Sequence, residues 1–195
     1  MNSDRPLILA SGSRYRRELL ERLRIPFQVI PADIDETPAP GESGMALAAR
    51  LGREKAASVA ARLDRGLVIG SDQVAELEGR LLGKPGDAGR AFEQLRASSG
   101  KTVTFHTSLC VRDAASGEYH EVLDHTEVIF RALTEDEIHR YIESERPFDC
   151  AGSFKCEGLG ITLFNAIDNQ DPSALTGLPL IALASLLRRF GLDLP

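Results

Sequence analysis

Apolar and polar positions change period several times along the chain, and each change marks an element. The run "PLILASGS" (6–13) predicts a buried strand closing on small turn residues, and "RYRRELLERLRI" then places Leu19, Leu20 and Leu23 at helical spacing. "PFQVIPADIDETPAP" predicts a second strand running into an acidic loop bounded by prolines, and residues 44–63 predict a long Ala-rich helix. "LVIGSDQV", from 67, is an apolar run that breaks on Gly-Ser-Asp, so the third strand is expected to end at Asp72, before a "GKP" turn. A helix is expected over about 87–98, with Asp87 as N-cap and Phe92 and Leu95 on its apolar stripe. "KTVTFHTSLCVRD" alternates, with Val103, Phe105, Thr107, Leu109 and Val111 on one face. The turn "AASGE" joins it to "YHEVLDHTEVIFRAL" as a long hairpin. "TEDEIHRYIES" opens on a capping box, Thr134 and Glu137, and buries Ile138, Tyr141 and Ile142. A glycine-rich loop, "CAGSFKCEGLG", precedes an expected strand "ITLF", and the helix "LPLIALASLLRRFG" closes with Gly191 as C-cap.

Helices alternate with strands except where the hairpin intervenes. The expected class is therefore α/β, with a mixed twisted sheet, flanking helices and a long hairpin extension that walls a cleft. The 195 residues suit a single domain, arranged as one body or as two lobes around that cleft, with no internal repeat or linker.

Composition narrows the setting. Hydrophobic content of 43% and charged content of 27% fit an ordinary globular protein. A net charge of -6 argues against broad binding to nucleic acid or anionic membrane, while a local group of Arg and Lys can still hold a small polyanion. The N-terminal apolar stretch is too short for a signal peptide, and "LPLIALASLL" is half of the roughly 20 residues that span a bilayer. Cys110, Cys150 and Cys156 show no paired spacing and read as reduced thiols, which points to the cytoplasm.

Familiar signatures fail on their chemistry. "GRLLGKP" has three residues between its glycines where a phosphate-binding P-loop has four, and Pro85 stands where a metal-binding hydroxyl is required. "GLG" lacks the third glycine of a dinucleotide fingerprint, no Gly-x-Ser-x-Gly elbow occurs, and the four histidines show no ligand-like grouping. What remains is a set of charges at element ends. Arg14, Arg16 and Arg17 open the first helix, and Asp33, Asp35 and Glu36 follow the second strand. Lys55 interrupts the Ala-rich helix, Lys84 lies in the turn after Asp72, and Lys155 and Glu157 lie in the glycine-rich loop. Singly, each reads as a solvated surface charge. Together they supply cations for phosphate and acids for Mg²⁺, the two halves of nucleotide chemistry.

"LILASGSRYRRELL", "DIDET", "REKA", "GSDQV", "GKP" and "CAGSFKCEGLG" occur in the order found in the Maf family of nucleoside triphosphate pyrophosphatases, which the chain resembles over nearly its whole length. "SDQV" with "GSFKCEG" is most similar to the branch acting on 7-methyl-GTP. The resemblance implies a Maf/ITPase-like fold and cleavage between the α- and β-phosphates to a monophosphate and pyrophosphate. It further implies a homodimer, a nucleotide substrate and a divalent cofactor, Mg²⁺ or Mn²⁺. Asp72 matches the family's proton acceptor. Ser13, Arg16, Lys55 and Lys84 are the candidates for gripping phosphate, and Glu36 and Asp72 for holding the metal. Tyr15, Gln73 and Glu157 match the family's specificity positions. An aromatic face and a carboxylate there suit a base that N7-methylation makes cationic. The chain departs from its branch in carrying Tyr15 for a usual Trp, Gly12 for a hydroxyl residue, and Cys156 for Ser. Two other readings stand beside this one: a pyrophosphatase for dTTP, UTP or other modified nucleotides, and a nucleotide-binding regulator of septation.

Overall fold

A computed structural model describes residues 5–194. The strands are β1 (Leu7–Leu9), β2 (Phe27–Val29), β3 (Leu67–Leu77), β4 (Arg80–Leu82), β5 (Thr102–Asp113), β6 (Tyr119–Phe130) and β7 (Phe164–Asp168). The helices are α1 (Arg14–Glu21), α2 (Gly44–Ala60), α3 (Ala88–Ser98), α4 (Glu135–Glu145) and α5 (Leu180–Arg189). The strands form one mixed sheet in the order β2-β1-β3-β5-β6-β7, with β4 paired to β3. β1 runs parallel to β2 and β3, and the other pairings are antiparallel. The fold is the expected α/β class, and the β5–β6 hairpin enters the sheet beside β3.

Strand alternation sorts the core. Leu67 and Ile69 face α1 and α5, where they join Leu7, Leu9, Leu19, Leu20 and Leu183. Further along the same face Ala75 and Leu77 pack with Leu95, Phe105, Ile138 and Phe154 beneath α3 and α4. Val68, on the opposite face, packs with Ile8, Ala56, Val59 and Cys110 under α2. Helix α2 lies very close to β3 because glycines meet there. A Cβ on Gly70 would stand 2.3 Å from the Gly52 carbonyl oxygen and 2.6 Å from the Ala56 nitrogen. The helix ends follow local chemistry, with Ser13, Ser43 and Asp87 as N-caps, and Thr134 and Glu137 closing a complete capping box.

Two expectations are corrected. β3 does not end at Asp72 but continues to Leu77. Its neighbours end instead: β1 pairs with Leu67–Ile69 and β4 with Ala75–Leu77, while β5 occupies the other edge from Leu67 to Glu76. The middle of β3 is thus left with one open edge, and both faces of the strand are accessible from that gap. "ITLF" is not a strand. Leu159–Leu163 forms a 3-10 turn with Ile161 exposed, and the pairing with β6 is made by Phe164–Asp168. The physical reason lies at Gly160, which packs against the Lys155 backbone so tightly that a Cβ would lie 2.3 Å from its carbonyl oxygen, folding the loop back on itself. The alternation in β5 does bury Val103, Phe105, Thr107, Leu109 and Val111, but His106, Ser108 and Cys110 are buried too, because α2 covers the second face.

Candidate active site

The gap beside β3 opens into a cleft of about 810 Å³. All the site residues expected from the sequence line it. Ser13, Tyr15 and Arg16 come from the start of α1, Glu36 from the acidic loop, and Lys55 from α2. Asp72 and Gln73 come from β3, Lys84 from the turn after β4, and Glu157 from the glycine-rich loop. Asp72 and Gln73 project from opposite faces of one strand, so only the missing strand partner at this point lets a single cleft reach both.

At its centre Lys55 Nζ lies 2.6 Å from Asp72 Oδ1 and 2.8 Å from Glu36 Oε1. The two carboxylates are therefore no farther apart than those contacts laid end to end. Lys55 and Asp72 are 8% and 10% exposed at the side chain, whereas Glu36 is 57% exposed and free to adjust. Asp72 is fixed from behind: its N–H donates to Ser108 Oγ at 3.0 Å, and Ser108 Oγ lies 3.3 Å from its carbonyl oxygen. The Glu36 loop is fixed through Arg50, which makes a forked pair of 2.8 Å bonds to Glu42 and a 3.1 Å bond to the Thr37 carbonyl. Those contacts, with the Ala39 N–H, push the Glu42 carboxyl down to about 2. Among the described residues no cluster of three or more His, Cys, Asp or Glu side chains forms a metal cage.

The α1 end of the cleft is cationic and rich in donors. Arg16 Nε donates to the Gly177 carbonyl at 2.8 Å and Nη1 to Ser11 Oγ at 3.3 Å. Ser71 Oγ donates to the same Gly177 oxygen at 3.0 Å. That carbonyl is aimed by a φ of +115° at Gly177, a conformation suited to glycine. Burial lowers the Arg16 guanidinium from its ordinary value, and the charges of Asp72 and Glu36 act against the shift. Ser13 Oγ accepts the Arg16 N–H as helix cap and Ser11 Oγ accepts the Ser13 N–H, while the N–H groups of Arg14 and Tyr15 carry no described hydrogen bond. Lys84 is exposed at the opposite rim and has no described ion pair.

The other wall can read a planar group. Gln73 Nε2 donates towards Thr107 Oγ1 and the Ala174 and Leu175 carbonyls at 2.9–3.0 Å, which leaves its carbonyl oxygen as the uncommitted atom. Glu157 is exposed at the lip, and its described hydrogen bond is from the Cys156 thiol at 3.3 Å. The Tyr15 hydroxyl accepts from Arg14 Nη2 at 2.7 Å and lies 3.4 Å from Asp149 Oδ2. Burial pushes the Cys150 thiol up to about 11 and Cys156 up to about 12, so neither is a thiolate nucleophile near neutrality.

Four of the charges noted in the sequence lie elsewhere. Lys155 donates to the Glu145 carbonyl at 2.7 Å, Arg17 pairs with Glu21, Asp35 accepts the Thr37 N–H, and Asp33 does not line the cleft. Sequence reasoning missed Ser11, Asp149 and the Gly177 carbonyl. Ser11 lies within the small-residue turn that closes the first strand, ahead of a helix start whose N–H groups can bind an anion, whereas Asp149 and Gly177 carry no local signal.

Residues 6–190 match the sequence profile of the family described as Maf-like protein. A protein of Xanthomonas oryzae pv. oryzae named 7-methyl-GTP pyrophosphatase is 58% identical over 97% of this chain and 98% of its own length. Proteins of the same name are 55% identical in Ralstonia nicotianae, over 94% of both chains, and 54% identical in Bordetella avium, over 99% of this chain and 97% of that one. No helix among the described residues is long and apolar enough to cross a membrane.

Proposed function

The chain belongs to the Maf family, and from that premise we propose that it is a nucleoside triphosphate pyrophosphatase that hydrolyses 7-methyl-GTP to 7-methyl-GMP and pyrophosphate. The observation that carries the reading is the meeting of Glu36, Lys55 and Asp72 at the base of a cleft whose α1 side is lined with phosphate donors. Water attacks the α-phosphorus, the bond from that phosphorus to the bridging oxygen breaks, and pyrophosphate leaves. Asp72 accepts the proton that the water loses.

The substrate's own charge is the main barrier to attack, and the chain's cations answer it. Arg16 is held by Gly177 and Ser11 in an orientation that leaves the rest of its fork for phosphate. Ser13 and the N–H groups of Arg14 and Tyr15 at the helix start add neutral donors, and Lys84 closes on the phosphates from the far rim. Lys55 holds Asp72 in place before substrate arrives and has a phosphate to move to once it does.

Glu36 and Asp72 fit a divalent cation, Mg²⁺ or Mn²⁺, as hard oxygen donors converging on one point. Two carboxylates completed by phosphate oxygens and water make an ordinary Mg²⁺ donor set. The ion, when bound, supplies charge neutralisation and favours ionisation of the attacking water. Gln73 Oε1 and the Glu157 carboxylate are both acceptors, matching the N1–H and amino donors of a guanine ring. Tyr15 supplies the aromatic face for that ring.

A panel of 7-methyl-GTP, GTP, dTTP and UTP, with and without Mg²⁺, tests the reading. 7-Methyl-GTP should release pyrophosphate fastest, and Asp72→Asn should lose about 10²- to 10⁴-fold in rate with its circular dichroism unchanged. A preference for dTTP would refute the roles of Gln73 and Glu157, and wild-type rates in Asp72→Asn would remove that residue from the mechanism.

A further inference from the structure

The three arginines at the start of α1 are held in different ways. Arg16 is fastened inward to Gly177 and Ser11, and Arg17 is turned away to Glu21. Arg14 instead leans over the ring of Tyr15, with its guanidinium carbon 4.7 Å from the ring centroid. Its Nη2 lies 2.7 Å from the Tyr15 hydroxyl and 3.9 Å from Asp149 Oδ2. Arg14, Tyr15 and Asp149 all line the cleft, and the side chains of Arg14 and Asp149 are 64% and 55% exposed. An aromatic face and a carboxylate thus already hold a flat, delocalised, weakly hydrated cation in the wall of the cleft. The guanidinium is lightly held, because an exposed ion pair contributes little and burial does not trap it.

We propose that Arg14 is a stand-in for the positive charge of the base. The N7-methylated purine displaces it from Tyr15 and Asp149, and Asp149 is a specificity residue that favours a cationic base over neutral guanine. The proposal rests on the function inferred above and adds two residues to it, one from α1 and one from the segment after α4. Charge explains the discrimination: methylation adds a positive charge to the ring without removing its N1–H or amino donors, so hydrogen bonding to Gln73 and Glu157 does not separate the two bases, whereas carboxylate charge does, and Asp149 adds a second carboxylate to that of Glu157.

Calorimetric titration of 7-methyl-GMP and GMP tests it, because the two ligands carry the same phosphate and the ratio of their affinities reads the base alone. Asp149→Asn should lower the preference for 7-methyl-GMP about three- to tenfold, through weaker 7-methyl-GMP binding. Arg14→Ala, which removes the competing cation, should tighten 7-methyl-GMP. An unchanged ratio in Asp149→Asn would overturn the proposal, as would weaker 7-methyl-GMP binding in Arg14→Ala, which would make Arg14 a phosphate clamp. Failure of the parent reading looks different: the wild-type protein would release no pyrophosphate from any nucleotide, whatever the monophosphate ratios.

Discussion

Replacing Lys55 by methionine keeps most of the side chain's length and apolar stem and removes one charge from the centre of the cleft. The ammonium contacts Asp72 at 2.6 Å and Glu36 at 2.8 Å. At an effective dielectric near 20 the Asp72 contact alone carries an attraction of about 6 kcal/mol, much of it offset by the desolvation of two nearly buried groups. The mutation cannot recover that desolvation, because Asp72 stays buried with its closest counter-charge gone. The half-exposed Glu36 returns to water at little cost. Arg16 remains near Asp72 and softens the loss, so the destabilisation should be about 3 kcal/mol, at the low end for a broken buried pair. Urea denaturation reads this directly. Adding Asp72→Asn should recover about 2 kcal/mol relative to the sum of the single changes, since the second mutation removes the stranded charge. Mg²⁺ supplies a second readout. If Glu36 and Asp72 hold a dication, Mg²⁺ should stabilise Lys55→Met by about 1.4 kcal/mol at ten times that variant's dissociation constant, and wild type by less at the same concentration. A Lys55→Met protein within about 0.5 kcal/mol of wild type, with an additive double mutant and no response to Mg²⁺, would refute the reasoning.

Gly70→Ala places a methyl group against the Gly52 carbonyl and the Ala56 nitrogen, backbone atoms that cannot rotate aside. Overpacking of this kind should cost about 2–3 kcal/mol and lower Tm by about 5–10 °C in calorimetry. It should also lower kcat, because α2 can relieve the clash only by drawing Lys55 away from Asp72. The Glu42 carboxyl should titrate near 2 by NMR, against an ordinary value of 4.5. Since its folded value is depressed, its contribution to stability is complete above about 4.5 and is lost as pH falls towards 2. Glu42→Gln should flatten the acid limb of the stability curve over that interval, and an unchanged limb would remove the Arg50 clip as the anchor of the Glu36 loop.

Local signals located the elements well where the physics is local. The Thr134–Glu137 capping box, the Asp87 cap and the apolar stripe of α4 need only neighbours within a turn or two, and all are found as expected. The errors share one cause. At Asp72 a polar break in an apolar run signals the end of a strand, but the interruption belongs to the strands beside it. At "ITLF" an apolar run has the pattern of a strand, but Gly160 has already committed the chain to fold back on Lys155. The second buried face of β5 was invisible because α2, which covers it, is distant in sequence. Asp149 was missed for the same reason, lying 134 residues from the Tyr15 it contacts.

The caps, the amphipathic faces and the side chains chemically able to hold phosphate, a cation or a base were therefore legible from the residues alone, since composition and short-range spacing carry that information. Tertiary structure alone decided that β1 and β4 stop short of one another along β3. That gap lets Asp72 and Gln73, on opposite faces of one strand, serve the same cleft, and it brings Glu36, Lys55 and Asp72 within contact. Strand pairing between distant segments produces this arrangement, and no local periodicity encodes where a neighbouring strand will end.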